Sequence, residues 1–127
     1  MKAFTDIEQS KKLAEILPAE SADQTWERIA IAGANLHVPE EMEYWHNGNT
    51  PCILNSKIGI PCWSLAALLE VMPKQLGGYT LTFYWCDDSW CCSYIDDGSE
   101  IKETSSANNP VDATVEMIIK LKEKDLI

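Results

Sequence analysis

The sequence predicts an α+β fold: a three-stranded antiparallel meander packed by a buried central helix and by N- and C-terminal amphipathic helices. Three observations point there. Residues 61–73 (PCWSLAALLEVMP) hold a single charge, Glu70, between two prolines, and a helix apolar on nearly every side is one made for burial. Residues 79–86 and 89–96 alternate in polarity around Asp87-Asp88 and are followed by Asp97-Gly98, which is the pattern of strands joined by tight turns. Both ends of the chain carry apolar residues at helical spacing.

At the N-terminal end, Thr5-Asp6-Ile7-Glu8 reads as a capping box, with Thr5 as N-cap and Glu8 reaching back to it. Ile7, Leu13, Ala14, Ile16 and Leu17 form the apolar stripe, and Pro18 closes the helix. Residues 19–24 read as a polar loop, and residues 26–32 (WERIAIA) as a strand ended by Gly33. Residues 34–60 contain Pro39, Gly48, Pro51 and Gly59 with Asn47, Asn49 and Asn55, so turns are frequent there. A connection of this length inside a domain is either functional or mobile.

In the apolar run, Ser64 is placed to cap the first turn, and Pro73 stops the helix by lacking an N–H and displacing Met72 from helical geometry. Leu65, Leu68, Leu69 and Met72 share its large face. Burying four such side chains contributes about 6–12 kcal/mol gross, the scale of a whole domain's net stability of about 5–15 kcal/mol. The run is therefore expected to be the core helix.

Leu76-Gly77-Gly78 marks a turn before the meander. With a two-residue loop at Asp87-Asp88, Trp85 lies opposite Trp90, Phe83 opposite Cys92 and Leu81 opposite Tyr94. Those six then share a face, and Thr82, Tyr84, Cys86, Ser89, Cys91 and Ser93 share the other. A slip of one residue would mix the two sets, so the pattern specifies its own register. Asp97-Gly98, with glycine supplying positive φ, leads into a third strand at residues 100–104 whose charges suit a wet edge. Asn109 is the N-cap and Pro110 the first residue of the last helix. Val111, Val115, Ile118, Ile119 and Leu121 give it a buried stripe, while Lys120, Lys122 and Lys124 complement its C-terminal dipole. The helices are expected to cover the aromatic face of the sheet.

A length of 127 residues fits one domain spanning 1–127. Twenty acidic against ten basic residues give a net charge of −10, and Arg28 is the only arginine. That balance argues against direct nucleic-acid binding, which needs clustered Lys and Arg, and it repels anionic membranes. No run has the length of a membrane span or of a signal peptide's apolar region, which leads us to expect a cytoplasmic protein. Its five cysteines are then expected as reduced thiols, an odd number arguing against a fully paired framework.

Three separated phrases, residues 5–18 (TDIEQSKKLAEILP), 61–73 and 109–121 (NPVDATVEMIIKL), resemble a group of short uncharacterised proteins of gut bacteria, often carried on prophages or other mobile elements. The resemblance spans most of the chain apart from its middle. It implies a cytoplasmic, non-secreted protein and brings with it no activity, cofactor or site residue.

A metal site would draw on His37, His46, Cys52 and Cys62 with Glu40, Glu41 or Glu43, but these lack the paired close spacing of structural zinc sites. Buried thiols and loop histidines account for the same residues. Cys86 and Cys91 fall on one predicted face near the hairpin end, with Cys92 turned to the core; Asp87 and Asp88 beside them oppose a reactive thiolate. No phosphate-binding glycine loop, nucleophile–base pair or catalytic carboxylate pair stands out, and no cofactor is called for. Tyr44-Trp45-His46, in the irregular middle, is the candidate partner-binding group, because Tyr and Trp dominate binding hot spots. The alternative is that Trp45 folds back over the sheet.

The function expected from these features is a small acidic, non-enzymatic protein-interaction module with an as yet unidentified protein partner. One form is a mobile-element-encoded modulator that inhibits a basic, nucleic-acid-binding host protein. The alternative is a small-molecule or metal-binding domain using residues 34–60 and the hairpin thiols. A third reading is a homodimer paired through the charged edge strand or residual aromatic surface.

Overall fold

A computed structural model describes residues 1–26 and 59–127. The elements are α1 (Ile7–Ala14), a 3₁₀ turn (Ala19–Ser21), β1 (Gln24–Trp26), β2 (Ile60–Cys62), α2 (Leu65–Val71), β3 (Gln75–Leu76), β4 (Tyr79–Cys86), β5 (Ser89–Ile95), β6 (Ile101–Ala107) and α3 (Pro110–Glu123). The α+β class is as expected. β1 and β2 form a small antiparallel pair, and β3 to β6 form an antiparallel sheet in chain order. The meander is thus four-stranded rather than three-stranded: Gly77-Gly78 folds the short β3 back onto β4, pairing Leu76 with Tyr79, and Gly77 takes the positive φ of 62° that such a turn requires.

The capping box of α1 is present one residue later than the sequence indicates. Asp6 is the N-cap, its Oδ1 accepting from the Gln9 N–H at 2.8 Å while Gln9 Oε1 accepts from the Asp6 N–H at 3.1 Å. Thr5 is not available to cap because its hydroxyl is committed inside the protein. It is fully buried, accepts from the Trp63 N–H at 3.1 Å and lies 2.7 Å from Ser10 Oγ. The helix ends at Ala14, before Pro18, although Ile16 and Leu17 still pack on the core. Residues 19–24 are more ordered than a loop, with a 3₁₀ turn followed by β1. The strand expected at 26–32 lies outside the described residues beyond Trp26.

In β2, Pro61 and Cys62 pair with Thr25 and Gln24, so the central helix starts only at Leu65. Ser64 caps it as expected, accepting from the Ala67 N–H at 3.2 Å, and Met72 before Pro73 is extended. Its burial is one-sided: Ala67, Leu68 and Met72 are buried, Leu65, Leu69 and Val71 are half-buried, and Ala66 and Glu70 are exposed. Gly59, read from sequence as a turn residue, is instead needed for close approach, since a Cβ there would run into the Thr25 methyl and the Trp26 carbonyl.

The helix at the centre of the core is α3. Pro110, Val111, Ala113, Thr114, Val115, Met117, Ile118 and Leu121 are all buried, and the helix touches β5, β6, α2 and α1. Its length explains the difference: fourteen residues span about 21 Å and can contact several elements at once, whereas α2 has seven residues. Asn109 caps α3 by accepting from the Asp112 N–H at 2.9 Å. At its other end the Asp125 N–H reaches Lys122 O at 3.1 Å and the Leu126 N–H reaches Leu121 O at 2.8 Å. This is a Schellman closure, with Asp125 in the left-handed conformation usually taken by glycine.

β6 is longer than the expected 100–104 and is not wet throughout. Glu103 and Ser105 turn towards α3 and are buried; Glu103 pairs with Lys124 at 2.7 Å, and Ser105 Oγ donates to Ala113 O at 2.6 Å. In the turn before it, Asp96 Oδ1 accepts from the Gly98 and Glu100 N–H groups at 3.0 and 2.7 Å. The positive φ falls on Ser99, at 65°, rather than on Gly98. The Asp96 N–H bonds Glu100 O at 3.0 Å, so three residues lie between that pair, and the left-handed position is the last of them.

The N-terminal ends of α1 and α3 are joined by Lys2, which contacts Asp6 at 2.9 Å and Asp112 at 2.8 Å. Burial alone would raise the Asp112 carboxyl's pKa, but hydrogen bonds from Lys2, Gln9 and Asn109 outweigh it and hold the value below its ordinary 3.8. Such a group stabilises the fold above its unfolded pKa and loses that contribution as pH falls through the folded value. Asp112→Asn should therefore cost about 0.5–1 kcal/mol at pH 7, with the difference from wild type shrinking in denaturant titrations as pH falls below the carboxyl's ordinary 3.8. Ser99→Gly should do the opposite and stabilise by about 1 kcal/mol, read as a rise in Tm, by relieving the left-handed serine.

Candidate functional site

The β4–β5 hairpin has the register its alternation specifies: Leu81↔Tyr94, Phe83↔Cys92 and Trp85↔Trp90. Asp87 and Asp88 both take positive φ, 51° and 59°, the geometry of a two-residue type I′ turn whose twist matches the strands. The aromatic face is only partly covered. Cys92 and Tyr94 are fully buried under α3, with the Tyr94 hydroxyl donating to Pro73 O at 2.7 Å. Towards the tip this cover ends, so that Trp85 is 56% exposed. Trp85 and Trp90 pack edge to face there, their centroids 5.6 Å apart, a contact of about 0.5–1.5 kcal/mol beyond its area.

No helix among the described residues packs on the opposite face. Its paired positions carry Thr80, Thr82, Tyr84 and Cys86 on β4, Ser89, Cys91, Ser93 and Ile95 on β5, and Ile101, Thr104 and Ser106 on β6. None is charged. A chain of hydroxyls crosses three strands: Tyr84 Oη lies 3.1 Å from Ser93 Oγ, which lies 2.8 Å from Thr104 Oγ1. These bonds satisfy Ser93, which is fully buried, and fix the Tyr84 ring against the sheet. Lys102, at the bulge, turns its ammonium over the Tyr79 ring, 5.5 Å from the centroid.

The β6 edge of the sheet is guarded. Counting from the two-residue turn, Trp90, Cys92 and Tyr94 direct their backbone groups to β6, which leaves those of Thr104 and Ser106 pointing outward. Lys120 Nζ donates to the Thr104 carbonyl, placing an ammonium where an added strand would pair.

The thiols fall as the strand periodicity indicates: Cys92 is buried, Cys91 half-buried and Cys86 exposed. Asp87 and burial raise the Cys86 pKa, and burial pushes Cys92 up to about 12. Cys62 is buried, 3.5 Å from Thr5 Oγ1, and burial raises its pKa as well. Neither buried thiol is poised for nucleophilic chemistry. His37, His46 and Cys52 lie outside the described residues, and among those described no group of three or more potential ligands gathers. Tyr44, Trp45 and His46 also lie outside them. Trp85 was read from sequence as covered, and the signal that it is not was its place beside the Asp87-Asp88 turn.

No helix among the described residues is long and apolar enough to cross a membrane. No protein-family model, curated protein or solved structure matches the chain.

Thiol labelling followed by peptide mass mapping should modify Cys86 first and Cys91 more slowly, with Cys62 and Cys92 reacting only on unfolding. Labelling of Cys92 as fast as that of Cys86 in the folded protein would contradict the burial of Cys92.

Proposed function

We propose that the protein is a non-enzymatic interaction module that engages a protein partner through the open face of the sheet and the tryptophans at the hairpin tip. Two observations carry this reading on a chain whose net charge is −10: the uncharged sheet face, and Trp85, which stands exposed at the hairpin tip on the other, aromatic face. Charged side chains cost free energy to desolvate, so a surface free of them can be covered without that penalty. A solvent-facing tryptophan is the residue type that most often anchors such contacts.

The partner that fits is a protein with a basic rim around a neutral centre. The acidic remainder of the chain would speed its approach and favour the docked orientation. Resemblance to short proteins of mobile elements agrees with a modulator of a host protein, and the same charge makes a nucleic-acid-binding protein a suitable target. The guarded β6 edge disfavours strand addition on that side of the sheet.

Affinity capture from a host lysate should recover a protein near one-to-one with wild type at about 0.15 M salt, less of it at about 0.5 M, and none with Trp85→Glu. Circular dichroism should show the variant still folded. Equal recovery by wild type and variant, or repeated recovery of nothing, would remove this reading.

A further inference from the structure

The turns that close α1, α2 and α3 meet at one end of the molecule and leave a cleft of about 330 Å³, lined by Ile16, Leu17, Pro18, Val71, Lys122 and Ile127. We propose that this cleft binds a short aliphatic carboxylate: a free monocarboxylic acid of about eight carbons, its chain against the aliphatic wall and its carboxylate on the Lys122 ammonium. The proposal is independent of the sheet-face reading, because no residue is shared between the two.

Size sets the first limit. A volume of 330 Å³ lies at the small end of ligand cavities, and at about 30 Å³ per water-sized group it admits roughly ten non-hydrogen atoms. A longer acyl chain would run out of the cleft into solvent and gain nothing from its extra length. The wall sets the second: apart from Lys122, every lining side chain is aliphatic, so a polar small molecule would lose hydration without recovering it.

Lys122 supplies the charge selection. The last turns of α3 carry three lysines, and two are already engaged: Lys120 with Thr104 O and Lys124 with Glu103. Lys122 projects about 200° round the helix from both, away from β6 and onto the cleft. Its ammonium makes no hydrogen bond or ion pair among the described residues. Ile127 reaches the wall because the Schellman closure at Asp125 reverses the chain after α3. The negative end of the helix dipole and the net charge of −10 both oppose an anion here. Any preference for carboxylate over amine must therefore come from Lys122, which makes the residue's role measurable.

The test is an NMR titration of the full chain with sodium octanoate, octan-1-ol and octylammonium chloride, following the methyl signals of Val71 and Ile127. Octanoate should shift both, with a dissociation constant on the order of 1 mM. Octylammonium should bind at least fivefold more weakly despite the favourable net charge. Lys122→Gln should weaken octanoate at least fivefold and leave octan-1-ol unchanged, while Lys120→Gln changes neither. Absence of any shift at Val71 and Ile127 up to about 10 mM octanoate would overturn the proposal. So would octylammonium binding as tightly as octanoate, or an unaltered octanoate affinity in Lys122→Gln.

Discussion

The structure depends on burying one side of α3 against the sheet and the other against α2 and α1. Val111, Ala113, Met117, Ile118 and Leu121 are fully removed from solvent, and no other helix among the described residues has a comparable set. Cys92 and Tyr94 supply the sheet's contribution to the same core. The Tyr94 hydroxyl then reaches across to Pro73 O, so the residue that fills the middle of the core also fixes where α2 must end. A phenol buried this deeply requires an acceptor, and the carbonyl of the helix-stopping proline meets that requirement.

A second constraint holds the N-terminal segment in place. Thr5 pairs with Trp63 through its backbone N–H at 2.9 Å, its carbonyl accepts from Trp26 Nε1 at 3.1 Å, and its hydroxyl meets Ser10 and the Trp63 N–H. One residue thereby links α1, β1 and the approach to α2. Each of these groups is buried, where an unpaired polar atom is costly, so the arrangement specifies position as well as stability. Displacement of the capping box to Asp6 follows from it.

With the interior settled in this way, the charges are left to the outside and to edges. Lys2 joins two helix starts, while Lys120 and Lys124 tie α3 to β6. Against that background the open face of the sheet differs in carrying hydroxyls, thiols and isoleucines at its paired positions. The Tyr84–Ser93–Thr104 chain ties its three strands together through their hydroxyls. Such a neutral surface can be covered without desolvating charge, while the exposed Trp85 projects from the other face at the hairpin tip.

By itself the sequence determined the local features whose physics is short-ranged. The β4–β5 register follows from period-two alternation around Asp87-Asp88, and the caps at Ser64 and Asn109 follow from a single side chain and the turn beside it. The separation of buried Cys92 from exposed Cys86 needed nothing more. Contacts between distant segments decided the rest. Which helix is central depended on how many elements each one touches, and Thr5 was withdrawn from capping by Trp63, 58 residues away. Gly59 has its small size because Thr25 and Trp26 lie against it. The cleft beside Lys122 exists only because three chain turns meet, and no local pattern records a meeting of that kind.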